Sequence, residues 1–286
     1  MSDTPKKEQQ PIVLPVIILI LAVAAMGWFL SSLVGQEDEA KLATQLAATP
    51  TDSVANSPKL LRFALKRGHE VYEANCASCH GADMTGNAEL HTPDMTDSFW
   101  LYGGKDIETF KIAPSDIEYT VRYGIHDLDV KETRNLADMP PFGEAGRAGL
   151  PPEELEDLEV KEGRPRLTND ELEDLTNFVL EVGRQPADEA AAGRGKELYF
   201  GKAGCWDCHT YDYNGDGSIG SANLTHPETW LYGSSHDKVF ETIAMGRNGV
   251  SPAFEGRLSD ADIKAVALYV LGGKTKSTLQ TKLTGG

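Results

Sequence analysis

Cysteine is scarce in this chain, 4 in 286 residues, and none is left over to staple loops together. All four fall in two copies of one string, Cys76-Ala-Ser-Cys79-His80 and Cys205-Trp-Asp-Cys208-His209, so no disulfide framework is expected. Basic residues are also in short supply, 27 Lys and Arg against 44 Asp and Glu, a net charge of -17. Such a field repels nucleic acid and anionic lipid headgroups and favours a basic partner face, although an acidic balance by itself also describes a well-solvated surface.

What is there begins with the repeated string. Two thiols three residues apart can add to the two vinyl groups of one haem, and the adjacent histidine then lies under the iron as its proximal ligand. Two strings predict two covalently bound c-type haems, at Cys76, Cys79 and His80 and at Cys205, Cys208 and His209. Zinc modules also use paired cysteines, but zinc does not require a histidine directly after the second one. A thioredoxin-like dithiol occurs once, near a strand-helix-strand pattern, and does not require that histidine either.

The amino terminus sets the compartment. No charged residue lies between Gln9 and Gln36, and the 24 residues from Pro11 to Val34 are strongly apolar. As a helix they extend about 36 Å, enough to cross a hydrocarbon core of about 30 Å with some tilt. Lys6 and Lys7 precede the stretch while Glu37, Asp38 and Glu39 follow it, so the amino-terminal end is expected in the cytoplasm and the rest on the periplasmic side of a bacterial inner membrane. A cleaved signal peptide is the competing reading, with small residues at Ala22 to Ala25, but the stretch exceeds the roughly 7–15 residues of such apolar regions.

The expected fold is all-α: residues 1–36 as cytoplasmic stub and transmembrane anchor, 37–57 as a periplasmic tether, then two tandem cytochrome c-like helical domains over 58–186 and 187–286. Ser57-Pro58 reads as a cap followed by proline at the first helical position. Gly68 and Tyr72 precede the first string as Gly195 and Tyr199 precede the second, and Trp100-Leu101-Tyr102-Gly103 recurs as Trp230-Leu231-Tyr232-Gly233. Each half ends in a similar helix. Thr168 and Glu171 form a capping box ahead of Leu172, Leu175, Phe178 and Val179, and Ser259 and Asp262 stand ahead of Ile263, Val266, Tyr269 and Val270, with Gly272 and Gly273 expected to stop the helix. Domains this small have limited cores, and the haem is expected to supply much of the buried apolar volume. The extra acidic length at 144–163 reads as a solvated insertion, with partner docking as the alternative.

Each iron also needs a sixth ligand. Met139 in Met139-Pro140-Pro141-Phe142 is the candidate, a soft thioether between a polar loop and two prolines, and Met84 and Met95 are its competitors. The corresponding loop of the second half has Ser251 before its proline, and serine is a poor ligand for haem iron. Met245, which aligns with Tyr123, is the leading substitute, followed by a vacant or water-filled position and by His226 or His236. Trp100, Tyr102, Trp230 and Tyr232 each offer one donor on an apolar body, suited to a haem edge and equally to plain core packing. Asp212-Tyr-Asn214-Gly-Asp216 imitates the start of a calcium loop, but its twelfth position is Asn223, so calcium is not expected.

Together, the anchor, the two strings, the two Trp-Leu-Tyr-Gly segments, Met139-Pro-Pro-Phe142 and Asn223-Leu-Thr225 ahead of Trp230 resemble the membrane-anchored dihaem subunit of cbb3-type cytochrome c oxidases over nearly the whole chain. The resemblance implies a subunit that is not an enzyme by itself. Electrons from a soluble or membrane cytochrome c would pass through two haems to a monohaem subunit, and then to a catalytic subunit that reduces oxygen with a haem and copper. It also implies that axial methionines cross between domains, so that Met139 serves the second haem and the Ser251 departure falls on the first. A free-standing anchored dihaem shuttle is the alternative, and a peroxidase or gas-binding protein with one open iron is a third reading.

Overall fold

The structure, a computed structural model, describes residues 38–103, 112–273 and isolated positions between 21 and 36. Most of the expected anchor therefore lies outside the described residues, and among those described no helix is long and apolar enough to cross a membrane. The described residues form helices and loops with isolated β-bridges and no strand.

Local signals set the helix starts. Helix α1, Pro58–Asn75, begins where Ser57 accepts a hydrogen bond from the Leu60 amide at 3.4 Å with Pro58 in the first turn. It buries Leu60, Ala64, Gly68, Val71 and Tyr72 along one face. Helix α2, Pro114–Tyr123, follows the first string, and helix α3, Asn169–Val182, starts at the expected capping box, with the Thr168 amide on Glu171 at 2.9 Å and the Glu171 amide on Thr168 at 3.3 Å. Helices α4, Glu189–Phe200, and α5, His236–Met245, flank the second string. Helix α6, Asp260–Gly273, runs through both glycines expected to stop it, and Gly273 is its last described residue.

The helices do not pair as two consecutive domains. Helix α6, from the end of the chain, packs on α1 and α2, whereas α3 packs on α4 and α5. Lobe 1 therefore holds the first string with α1, α2 and α6, and lobe 2 holds the second string with α3, α4 and α5. The expected division at 58–186 and 187–286 describes the sequence repeat and not the packing, because each half donates its last helix to the other half's string. The repeated glycines mark both crossings. A Cβ on Gly68 would overlap the Ala265 carbonyl of α6 and lie 2.6 Å from the Tyr269 Cβ, and one on Gly195 would overlap the Asp174 carbonyl of α3 and lie 2.8 Å from the Phe178 Cβ. Only a residue without a side chain allows these backbones to approach so closely.

The tether also needs correction. Residues 38–48 are helical, 51–56 form a 3-10 turn, and Leu46 and Val54 are fully buried against Leu60, Ala64, Ala261, Ala265 and Leu268. The Lys264 ammonium donates to the Ala47 and Thr49 carbonyls at 2.7 and 2.8 Å, holding the segment on α6. Enclosed by this segment, α1 and α2, α6 buries residues on every side, from Ile263 and Ala265 to Val266, Ala267 and Leu268.

Candidate functional site

Each string folds as a single helical turn, Ala77–His80 and Trp206–His209, closed by His80 N to Cys76 O and His209 N to Cys205 O, both at 2.9 Å. Spacings of three and four residues put both cysteines and the histidine on one side of that turn. The preceding helix fixes the turn through a residue of the repeat. Tyr72, fully buried, donates to the Gly81 carbonyl at 2.7 Å, and Tyr199, also fully buried, donates to the Thr210 carbonyl at 2.8 Å. In both lobes the tyrosine thus grips the carbonyl just after the histidine.

Burial governs the ionisation of these groups. It pushes the Cys76 thiol up to about 11 and the Cys205 thiol up to about 12, and raises Cys208, so these thiols stay protonated at neutral pH. It lowers both histidines, keeping the imidazoles neutral as a metal ligand must be. His209 Nδ1 lies 2.9 Å from the Ala222 carbonyl, a contact that needs the proton on Nδ1 and leaves Nε2 as the ligating nitrogen. His80 Nδ1 is enclosed without a hydrogen-bond partner among the described residues. Two thiols and a neutral imidazole on one side of one turn fit a covalently held haem. Among the described residues no three His, Cys, Asp or Glu side chains converge as a metal site, and the strings lie in different lobes. Asp212 and Asp216 of the calcium-like segment cap their own turns through Thr210, Asn214 and Ser218.

The Met139 loop belongs to lobe 2, where Met139 packs against the core that takes Cys205 and Trp230. An antiparallel bridge holds it, Met139 N to Arg247 O at 3.3 Å and Arg247 N to Met139 O at 3.2 Å. The insertion after it is more than a solvated surface. Arg147 is 4% exposed and donates to the Pro141 carbonyl at 2.7 Å, the Glu159 carboxylate at 2.8 Å and the Arg164 carbonyl at 2.7 Å. Arg164 in turn donates to Gly204 O at 2.6 Å and Asp207 at 2.9 Å, the residues surrounding Cys205. The insertion thus joins the Met139 loop to the second string, while Glu153, Glu154 and Glu156 remain exposed.

Of the other candidates, Met245 ends α5 in the lobe that already holds Met139 and is 41% exposed. The His226 ring lies tilted against Phe99 at 4.2 Å with Nδ1 2.9 Å from Glu228, and His236 Nε2 lies 2.9 Å from Glu173, both at half-buried positions. The aromatic pairs divide their work. Trp100 and Trp230 pack in the two cores, and Trp230 Nε1 donates to the Asn223 carbonyl at 2.8 Å. Tyr102 and Tyr232 lie between the lobes. A Cβ on Gly220 would overlap the Tyr102 ring, the Tyr232 ring is 4.5 Å from that of His91, and Gly103 N donates to Gly217 O at 3.1 Å. His91 and Gly220 each lie fifteen residues after the first cysteine of their string, so the two contacts are related by the repeat.

Several positioning residues escaped the sequence reading. Tyr72 and Tyr199 were visible as repeated positions but had no assigned role. Arg134 and Arg247, whose guanidinium carbons lie 5.2 and 4.7 Å from the ring centroids of Tyr102 and Tyr232, carried no repeat signal because they stand at unrelated sequence positions. Arg147 and Arg164 were masked by the acidic composition around them.

Comparison with known proteins gives the family. The cytochrome c family matches residues 65–183, and the family described as cytochrome C oxidase, cbb3-type, subunit III matches 190–270. The cbb3-type cytochrome c oxidase subunit CcoP of Cereibacter sphaeroides is 33% identical over 236 residues, 82% of this chain and 70% of that one. CcoP of Rhodobacter capsulatus is 34% identical over 238 residues, 80% and 69% of the two chains, and FixP of Sinorhizobium medicae is 29% identical over 231 residues, 80% and 68%. With two lobes built on equivalent strings and this extent of identity, the chain belongs to the CcoP/FixP family of cbb3-type cytochrome c oxidase subunits.

Proposed function

We propose that this chain is the dihaem electron relay of a cbb3-type oxidase, with Cys76, Cys79 and His80 holding one c-type haem and Cys205, Cys208, His209 and Met139 holding the other. The haems supply reversible one-electron transfer. The chain's residues hold them in place: buried Tyr72 and Tyr199 fix the two turns, and Arg147 and Arg164 fix the Met139 loop against the second string. The observation that carries this reading is the pairing of the segments after the two strings, Tyr102 on Gly220 and Tyr232 on His91, a repeated contact between the lobes that supports a relay. Electrons from a cytochrome c donor would pass through the relay to the monohaem and catalytic subunits.

Pro11 to Val34 serves in this reading as a single-pass anchor with the lobes on the periplasmic side. The helical positions Leu21, Val23, Met26 and Trp28 support it, since all four carry large apolar side chains that are strongly exposed and need an apolar surrounding. Helix 38–48, docked on lobe 1 through Leu46 and Lys264, would then tie the anchor to that lobe and keep the relay beside its membrane partner at high effective concentration.

Mild solubilisation of native membranes tests the assignment. The chain is expected to co-purify with a haem-copper subunit, and its denatured polypeptide should keep its pigment in acidified organic solvent. Pigment released into the solvent would refute covalent attachment, and a dihaem chain that purifies alone would favour a free-standing shuttle.

A further inference from the structure

Ser251 occupies in lobe 1 the place that Met139 occupies in lobe 2. The Met139·Arg247 bridge is matched by a Ser251·Ile125 bridge, Ser251 N to Ile125 O at 2.9 Å and Ile125 N to Ser251 O at 2.8 Å. Under each loop lies a glycine of positive φ. A Cβ on Gly246 would meet Met139 O, Pro141 N and Pro140 C, and one on Gly124 would meet Ser251 O, Ala253 N and Pro252 C. Phe142 N reaches Ile243 O and Gly143 N reaches Ala244 O, just as Phe254 N reaches Val121 O and Glu255 N reaches Arg122 O. The backbone is duplicated, and the side chain at the ligand position is not.

Lobe 1 has no substitute thioether among its described residues. Met84 and Met95 belong to the lobe 1 core, and Met95 N donates to Met84 O at 2.8 Å as Leu224 N donates to Tyr213 O at 2.7 Å, so they stand in the loop whose lobe 2 counterpart meets His209 through the Ala222 carbonyl. Met245 belongs to lobe 2. His126, beside Ile125, has Nδ1 on the Gly249 carbonyl at 2.8 Å and Nε2 against the Asp138 carboxylate. The Ser251 hydroxyl has no hydrogen-bond partner among the described residues and is too short and too weak a donor to replace a thioether on low-spin iron.

From this we infer that the haem of lobe 1 keeps its sixth coordination position open to small neutral diatomic ligands such as carbon monoxide and nitric oxide, while Met139 closes the haem of lobe 2. The inference rests on the haem assignment proposed above. Serine leaves room where the methionine side chain would lie and keeps one hydroxyl available to hydrogen-bond a ligand. The two haems of one chain then differ in kind, one suited to electron transfer alone and one also able to bind a ligand.

Carbon monoxide added to the reduced, full-length dihaem chain tests this, read by the Soret band and by gas stoichiometry. One equivalent per chain is expected to bind. Ser251→Met should abolish binding and add a second Met-to-iron charge-transfer band in the near infrared, Ser251→His should abolish binding without adding that band, and Met139→Ala should raise binding to two equivalents. No response from a chain whose intact mass includes two haems would overturn this inference and leave the relay assignment standing. A response that persists in both Ser251→Met and Ser251→His would overturn it as well. A chain whose mass is that of the bare polypeptide would defeat the relay assignment itself.

Discussion

The loops Met139–Phe142 and Ser251–Phe254 follow the same backbone path and differ in how firmly they are held. In lobe 2 the buried Arg147 binds the Pro141 carbonyl, and Arg164 continues the connection to the second string. In lobe 1 the equivalent carbonyl, on Ala253, takes one contact of 3.2 Å from Arg257, and the Ala253 amide donates to Asp127 at 2.8 Å. No counterpart of the 144–163 insertion follows, since α6 begins at Asp260. The lobe whose loop carries Met139 is the one in which a buried guanidinium ties that loop toward the string. A metal-bound methionine must be presented in one orientation, and residues behind the ligand provide that orientation. A loop ending in serine has no such requirement.

The exchange of α3 and α6 offers the strongest way to break this comparison. A chain ended at Ser259 lacks α6, which packs on α1 and α2, so lobe 1 is expected to lose its folded haem site while lobe 2 keeps its Met-to-iron charge-transfer band. Two consecutive domains would give the opposite result, with damage confined to the second string. Limited proteolysis and the near-infrared spectrum distinguish the two.

Arg147→Ala sharpens the contrast more gently. It removes three hydrogen bonds from a buried guanidinium and leaves the Pro141 and Arg164 carbonyls without it, a loss of about 2–4 kcal/mol. Denaturant unfolding should show this loss in lobe 2 alone, together with a weakened Met-to-iron band, and an equal loss in lobe 1 would contradict the clamp.

The smallest effect concerns acid stability. Lys202, followed by the Thr168 amide, holds the Glu171 carboxyl below its ordinary value. A glutamate with a depressed folded value contributes stability that is present above its unfolded value of about 4.3 and is lost as pH falls through the folded value. At the same position of the α6 cap, burial pushes Asp262 up, but Arg67 and Ser259 outweigh it and its value is also lowered. Glu171→Ala should therefore remove part of the acid-side loss of lobe 2 stability, less than about 1 kcal/mol for so exposed a pair, and leave lobe 1 unchanged in a pH-dependent melt.

Local chemistry by itself determined the two strings, the helix starts at Ser57-Pro58 and Thr168, the repeated Gly68 and Gly195, and Met139 as a candidate ligand, because each is written in a few adjacent residues. Which last helix serves which string was decided only by tertiary structure. Helices α3 and α6 present similar apolar faces with an aromatic at the same turn, so the periodic pattern cannot tell them apart. The deciding restraint is the connection at 183–188, short enough to fold α3 back on α4, and it leaves α6 to cover α1. The segment 38–57 carries no packing signal for a related reason: its apolar residues are too few to show a period, and their burial depends on α6 arriving from the far end of the chain. Ser251 was legible as a departure from the repeat, and the resemblance already implied that the departure falls on the first haem; the tertiary structure supplied the physical route, with the Ser251 loop bridged to Ile125 in lobe 1.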